Sequence, residues 1–134
     1  MALISAVSLK ELKRQAALCF EGKTLKVMLC SLGGNSFTTE STVANWQSCE
    51  VSGNGYVRYS TTIGTSTYDS VTGTQKIPDI DAAFTATGAG YSYDRIVLYI
   101  DGETYVHSVL EENPNITLAA GQVQTYRLSI RQND

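Results

Sequence analysis

Few residues in this sequence are of the types that do chemistry, and their spacing gives them other work. His107 is the only histidine. A nucleophile–base pair would need it. It falls within a strand-like run, where Ile96 is its expected cross-strand partner, so a packed or interface histidine is the expected role. Asp79 and Asp81 form a D-x-D pair, but neither EF-hand spacing nor a third carboxylate follows. They read as solvated loop acids. Glu111 and Glu112 are adjacent and point apart in an extended chain. The paired carboxylates of glycoside hydrolysis are set by the fold, and no pair is nominated here. Cys19, Cys30 and Cys49 are an odd set without C-x-x-C spacing, so they read as buried small hydrophobes. A zinc site would lack its fourth ligand. Gly33-Gly34 sits in a loop without lysine, which excludes a P-loop. The expectation is a protein that is not an enzyme, with no cofactor and no metal.

The totals agree. A chain of 134 residues holds one domain with a real core. Charged residues are 17%, against roughly 25% in ordinary soluble domains. Ser, Thr, Gly and Tyr take their place, which suits strands, turns and contact surfaces. Net charge is -3 with no basic block, so nucleic-acid binding is not expected. Ala2–Val7 is too short for the core of a signal peptide, and no run approaches the roughly 20 apolar residues of a membrane span. A protein made and folded in a cytosol is expected, and the sequon Asn115-Ile116-Thr117 then carries no meaning.

The elements that position these residues centre on Asp94–Leu110. Asp101-Gly102 between two apolar runs predicts a type I′ hairpin. That register sets Ile100 opposite Glu103, Leu98 opposite Tyr105 and Ile96 opposite His107. The second face pairs Val97 with Val106 and Tyr99 with Thr104. Both faces carry large apolar groups, so the hairpin is central or has one face covered by another subunit.

Around it, Ser8–Phe20 reads as the one helix. Ser8 and Glu11 form a capping box, with Val7 and Leu12 as a hydrophobic staple. Leu9, Leu12, Ala16, Cys19 and Phe20 make one apolar stripe, and Gly22 suits the C-cap. The helix either packs on the core or docks onto a neighbouring molecule. Thr24–Leu29 reads as a half-buried strand. Ser31–Thr42 and Gly64–Thr74 read as polar loops, longer than ordinary connections. Trp46 is expected to anchor the first loop on the core. Gly53-Asn54-Gly55 is a tight turn leading into Tyr56–Ile63. Ala82–Thr87 is a strand with Phe84 inward, Glu111–Asn115 a turn around Pro114, and Val123–Arg131 the closing strand. About seven or eight strands with this turn spacing predict a mainly β chain, an antiparallel sandwich or barrel-like domain with one N-terminal helix. The single domain divides into an arm and helix over 1–22 and a β-sandwich over 23–134.

Three stretches carry a resemblance: Glu50–Tyr56 (EVSGNGY), Phe84–Asp101 (FTATGAGYSYDRIVLYID) and Leu118–Gln122 (LAAGQ) followed by Thr125-Tyr126. Their order resembles small β-rich virion structural proteins of tailed bacteriophages. Glu50, Val51, Gly53, Gly55, Tyr56, Arg95, Tyr99, Gly121 and Gln122 occupy the matching places. The resemblance spans roughly residues 20–132 and leaves the N-terminal helix outside it. It implies assembly rather than catalysis: a capsid decoration or cement protein in the virion, partnered by the major capsid protein or other virion proteins. Copies related by cyclic symmetry, a trimer first, follow from that geometry. A tail, baseplate or fibre component is the neighbouring reading. A carbohydrate-binding module is the rival of another class, with Trp46, Tyr56, Tyr59, Tyr68, Tyr91 and Tyr93 as available aromatics. The expected assembly contacts are Leu9, Leu12, Trp46, Tyr56, Tyr68, Tyr91, Tyr93 and His107, with neither nucleic acid nor membrane as a partner.

Overall fold

A computed structural model describes residues 9–133. Ser8 and Val7, the expected cap and staple positions, lie outside the described residues. The chain is mainly β, with antiparallel sheets and, among the described residues, two short helices. In chain order these are α1 (Leu9–Cys19), β1 (Thr24–Cys30), α2 (Val43–Gln47), β2 (Tyr59–Thr62), β3 (Thr67–Asp69) and β4 (Thr74–Lys76). Then come β5 (Ile80–Thr85), β6 (Tyr91–Ile100), β7 (Ser108–Leu118), β8 (Val123–Leu128) and β9 (Arg131–Asn133). The main sheet runs β2-β1-β6-β7, a second pairs β5 with β8, and a third runs β3-β4-β9.

β1 and β6 are the centre, and both of their faces are buried. On one face Leu25, Val27, Leu29, Ile96, Leu98 and Ile100 pack against Ala82 and Phe84 of β5 and Leu128 of β8. On the other, Met28, Cys30, Val97 and Tyr99 pack against Val43, Trp46 and Val106. The second face of the central strands is therefore covered by the chain itself, through α2 and the loop before β7. The expected alternative, cover by another subunit, is not needed there. β1 is accordingly a two-sided strand rather than a half-buried one, with Met28 and Cys30 fully buried.

The hairpin between β6 and β7 exists, but in another register. Leu98 lies opposite Ser108, Val97 opposite Val109 and Ile96 opposite Leu110, a slip of three residues from the expected pairing. Of the turn pair only Gly102 has a positive φ, 91°, with the Glu103 amide donating to the Ile100 carbonyl at 3.0 Å. That is the pattern of a type II turn, which does not match the strand twist of a two-residue hairpin. The chain instead leaves β6: the Val43 amide donates to the Thr104 carbonyl at 2.8 Å, and Thr42 bridges Tyr105. His107 thus precedes β7 and is not mid-strand.

β6 changes its inward parity halfway. Tyr91 and Tyr93 share a core with Ile96, Leu98 and Ile100, because the register shifts between Tyr93 and Arg95. A bulge adds the residue that flips the alternation. Across it, Tyr93 pairs with Ile116 and Arg95 with Glu111, so Glu112–Asn115 arches out of β7. The expected turn around Pro114 is this arch inside one strand, on a sheet edge where proline costs no ladder bond. Gly64–Thr74, expected as a loop, contains β3 and is joined by hairpin to β4.

Candidate contact face

The last turn of α1 and the loop before β7 meet on the surface. Ala16, 4% exposed, is the buried residue of α1 among its described side chains. Gly22 closes the helix with φ 76°, as a left-handed C-cap does. Phe20 packs on the larger core, while Leu18 and Cys19 face outward. In the loop, Val106 sinks into the smaller core and its neighbour Tyr105 is thrown out, since successive extended residues point opposite ways. His107 then lays its ring edge-on to Phe20, with centroids 5.4 Å apart at 73°. Its Nδ1 lies 3.0 Å from Ser108 Oγ. Desolvation there holds the imidazole below its ordinary value of 6.5, although part of the residue remains exposed.

Two adjoining grooves, about 450 and 490 Å³, share Phe20 and His107 as their common wall. One runs over Leu98, Leu110, Leu128 and Ile130. The other runs over Leu18, Ile100 and Tyr105. Leu18, Tyr105 and Leu110 are 58%, 62% and 45% exposed. Lys23, Glu103, Arg127 and Arg131 also line the grooves, so apolar residues and charges share the lining.

Most of the expected contact residues are elsewhere. Trp46 is 1% exposed, its Nε1 donating to the Thr38 carbonyl at 3.0 Å and its ring edge-on to Phe37. It anchors its loop and offers no surface. Tyr91 and Tyr93 are 8% and 0% exposed, their hydroxyls held by the Thr85 carbonyl and by Tyr126 Oη. All three are corrected from contact residues to core residues: Tyr91 and Tyr93 fill the larger core and Trp46 the smaller one beneath α2. Tyr56 is half-buried. Tyr68 lies on the opposite flank of α1, lining a cavity of about 650 Å³ with Lys13, Ala17, Glu21 and Gln75. Leu9 and Leu12 belong to α1, but their side chains lie outside the described residues. His107 is the expected residue that lies on the face. Cys19, expected buried, is exposed, Cys49 is half-buried, and Cys30 alone is fully buried.

Leu18, Tyr105 and Leu110 were not legible as contacts. Leu18 carried a signal, because it is apolar yet falls off the stripe of Leu12, Ala16 and Cys19. Tyr105 and Leu110 carried none, because the hairpin register hid them.

The three motifs behind the resemblance converge at one end of the sandwich. The Glu50 carboxylate accepts from Tyr56 Oη at 2.6 Å and from Arg58 Nε at 2.9 Å, and is paired to Arg58 Nη2 as well. Arg58 Nη1 donates to Tyr99 Oη at 2.7 Å, and Tyr56 Oη accepts the Leu29 amide at 3.1 Å. Burial and the Glu50 carboxylate push the Tyr56 hydroxyl well up; the hydrogen bond to Glu50 does the same for Arg58. Asn54 Nδ2 donates to the Gly90 carbonyl at 2.7 Å, and the Gly121 amide donates to the Ala86 carbonyl at 2.8 Å. These residues clasp turns together. Their chemistry is spent on architecture.

The acids are likewise occupied. Asp79 pairs with Lys76 at 3.1 Å and Asp81 with Arg127 at 2.9 Å. Glu111 faces Arg95 at 3.5 Å, while Glu112 accepts from Tyr126 Oη at 3.2 Å. Among the described residues no three His, Cys, Asp or Glu side chains converge to hold a metal ion. No helix there is long and apolar enough to cross a membrane. Compared with known proteins, the chain matches no family model, no curated protein and no solved structure.

Proposed function

We propose that this chain is a virion structural protein of a tailed bacteriophage, a capsid decoration or cement protein that binds between capsid subunits. The observation that carries the reading is the apolar strip Leu18–Tyr105–Leu110 around the Phe20 and His107 grooves. Three large apolar side chains are held out on the β body, beside a helix end. The resemblance of the clasp motifs supplies the particle, and the strip supplies the means of contact. Such a protein stabilises a shell by binding the assembled form and not the free subunits. Each contact contributes little, and many copies add up.

A tail, baseplate or fibre component uses the same physics in fewer copies. The carbohydrate-binding reading is weakened, because Trp46, Tyr91 and Tyr93 are spent inside the core and no longer form a platform.

The test is co-sedimentation of the purified chain with expanded capsids lacking it. Saturable binding is expected, with loss of at least about tenfold in affinity for Leu18→Asp with Tyr105→Ser, since two exposed contacts of this kind carry about 1–2 kcal/mol or more between them. Binding untouched by that pair of changes, with folding intact, would remove the face. No binding to capsids or tails would remove the function.

A further inference from the structure

Cys30 and Cys49 stand on neighbouring strands of backbone. Cys30 bridges Glu50 in an antiparallel ladder, flanked by the Ser31 amide donating to the Cys49 carbonyl at 3.0 Å and the Val51 amide to the Leu29 carbonyl at 2.9 Å. Both thiols donate to one acceptor, the Trp46 carbonyl, at 3.4 Å from Cys30 and 3.3 Å from Cys49. The shared acceptor places the two sulfurs side by side. Adjacent backbones and a common acceptor bring the two thiols into one neighbourhood, the first condition for a disulfide. We propose that Cys30 and Cys49 are a latent disulfide, a modification site that a low-molecular-weight disulfide such as oxidised glutathione converts to a cystine.

The order of the steps follows from burial. Cys49 is half-buried and Cys30 fully buried. Cys49 loses its proton to solvent, and its thiolate attacks one sulfur of the small disulfide, expelling the first glutathione thiolate. Cys30 then gives up its proton, and its thiolate attacks Cys49 Sγ and expels the second. Two protein thiols are oxidised by two electrons, and one disulfide is reduced to two thiols. Burial raises both protein thiols above their ordinary value, so exchange is slow near neutrality and quickens as pH rises. The product ties the turn after α2 to β1, and so fastens the Trp46 cover over the central strands. This inference is independent of the assembly reading.

The experiment uses the full chain with Cys19→Ser, which removes the exposed thiol. The folded protein is incubated with oxidised glutathione at mildly alkaline pH, quenched with iodoacetamide and digested with trypsin. Val27–Arg58 contains no internal Lys or Arg, so both cysteines fall in one peptide. The expected result is that this peptide loses two hydrogens and takes no alkyl group, and that the protein gains thermal stability which a reductant removes. Adding Cys30→Ser should leave glutathione on Cys49, while adding Cys49→Ser should leave Cys30 unreacted in the folded state. A peptide that keeps two alkylatable thiols, a mixed disulfide that persists on Cys49 with Cys30 present, or a cystine formed only in denaturant would each overturn the proposal.

Discussion

Glu50 holds three donors from two side chains, and its side chain is 13% exposed against 32% for Arg58. Glu50→Gln removes the charge that orients Arg58 and leaves that guanidinium without its counterion. A cost of about 1–3 kcal/mol is expected, from the usual penalty for breaking a mostly buried charged hydrogen bond. Glu111→Gln is the control: its side chain is 60% exposed and its partner 3.5 Å away, so less than about 1 kcal/mol should be lost. Urea unfolding of both variants reads the difference. His107 makes a pH prediction. Its folded value lies below the ordinary 6.5 because the ring is desolvated. The unfolded chain therefore binds the proton more readily, and stability falls as pH drops below about 6.5 toward the lowered folded value. Above 6.5 the group contributes no slope. His107→Gln should flatten the stability curve in that window, and an unchanged slope would show that other groups set it. The residue scale was partly legible: the buried Trp46 anchor and inward Phe84 follow from residue type and alternation. The Glu50–Arg58–Tyr99 network did not, because it joins residues far apart in sequence whose polar ends meet only after β1 and β6 pair.

Elements were legible where local rules fix them and illegible where a long-range partner decides. Alternation identified the inward face of Val123–Arg131, and its even-numbered Tyr126, Leu128 and Ile130 do face the larger core, but the expected single strand is two: β8 ends at Leu128 beside β5, and Arg131 opens β9 beside β4. The Asp-Gly turn was recognised, but its register was decided elsewhere. Val106 enters the smaller core beside Trp46 and Val97, and the chain between Gly102 and Ser108 leaves the ladder to pair with Thr42 and Val43. The bulge at Tyr93/Arg95 is likewise invisible in a pattern of tyrosines and acids. Two glycines separate local strain from packing. Gly90 has φ 76°, and a Cβ there would collide with the Leu118 carbonyl oxygen. Gly102 has φ 91°, with nothing within 4 Å of its Cβ position. Gly102→Ala should cost about 1–2 kcal/mol, the left-handed penalty alone. Gly90→Ala should cost several times that or prevent folding, because backbone must move. Equal unfolding midpoints for the two variants would contradict the clasp between this turn and the end of β7.

As a whole molecule, the chain covers both faces of its central strands from its own resources. Among the described residues, Leu18 at the end of α1, Tyr105 and Leu110 are large apolar side chains left exposed beside one another around the Phe20 and His107 grooves, while Val57, Val71 and Val123 are exposed outside those grooves. This changes where a partner must sit. Of the two expected covers of the second hairpin face, another subunit is not needed, because α2 and the loop before β7 lie there, and under the proposed reading a lattice contact moves to the strip beside His107. The reading then makes a demand on numbers, because a cement protein repeats with the shell and a tail part does not. The most direct measurement is the copy number of this chain in purified virions, by quantitative mass spectrometry against the major capsid protein. The account predicts a fixed ratio amounting to hundreds of copies per particle. A handful would move the protein to the tail, and its absence from the particle would contradict the virion reading altogether.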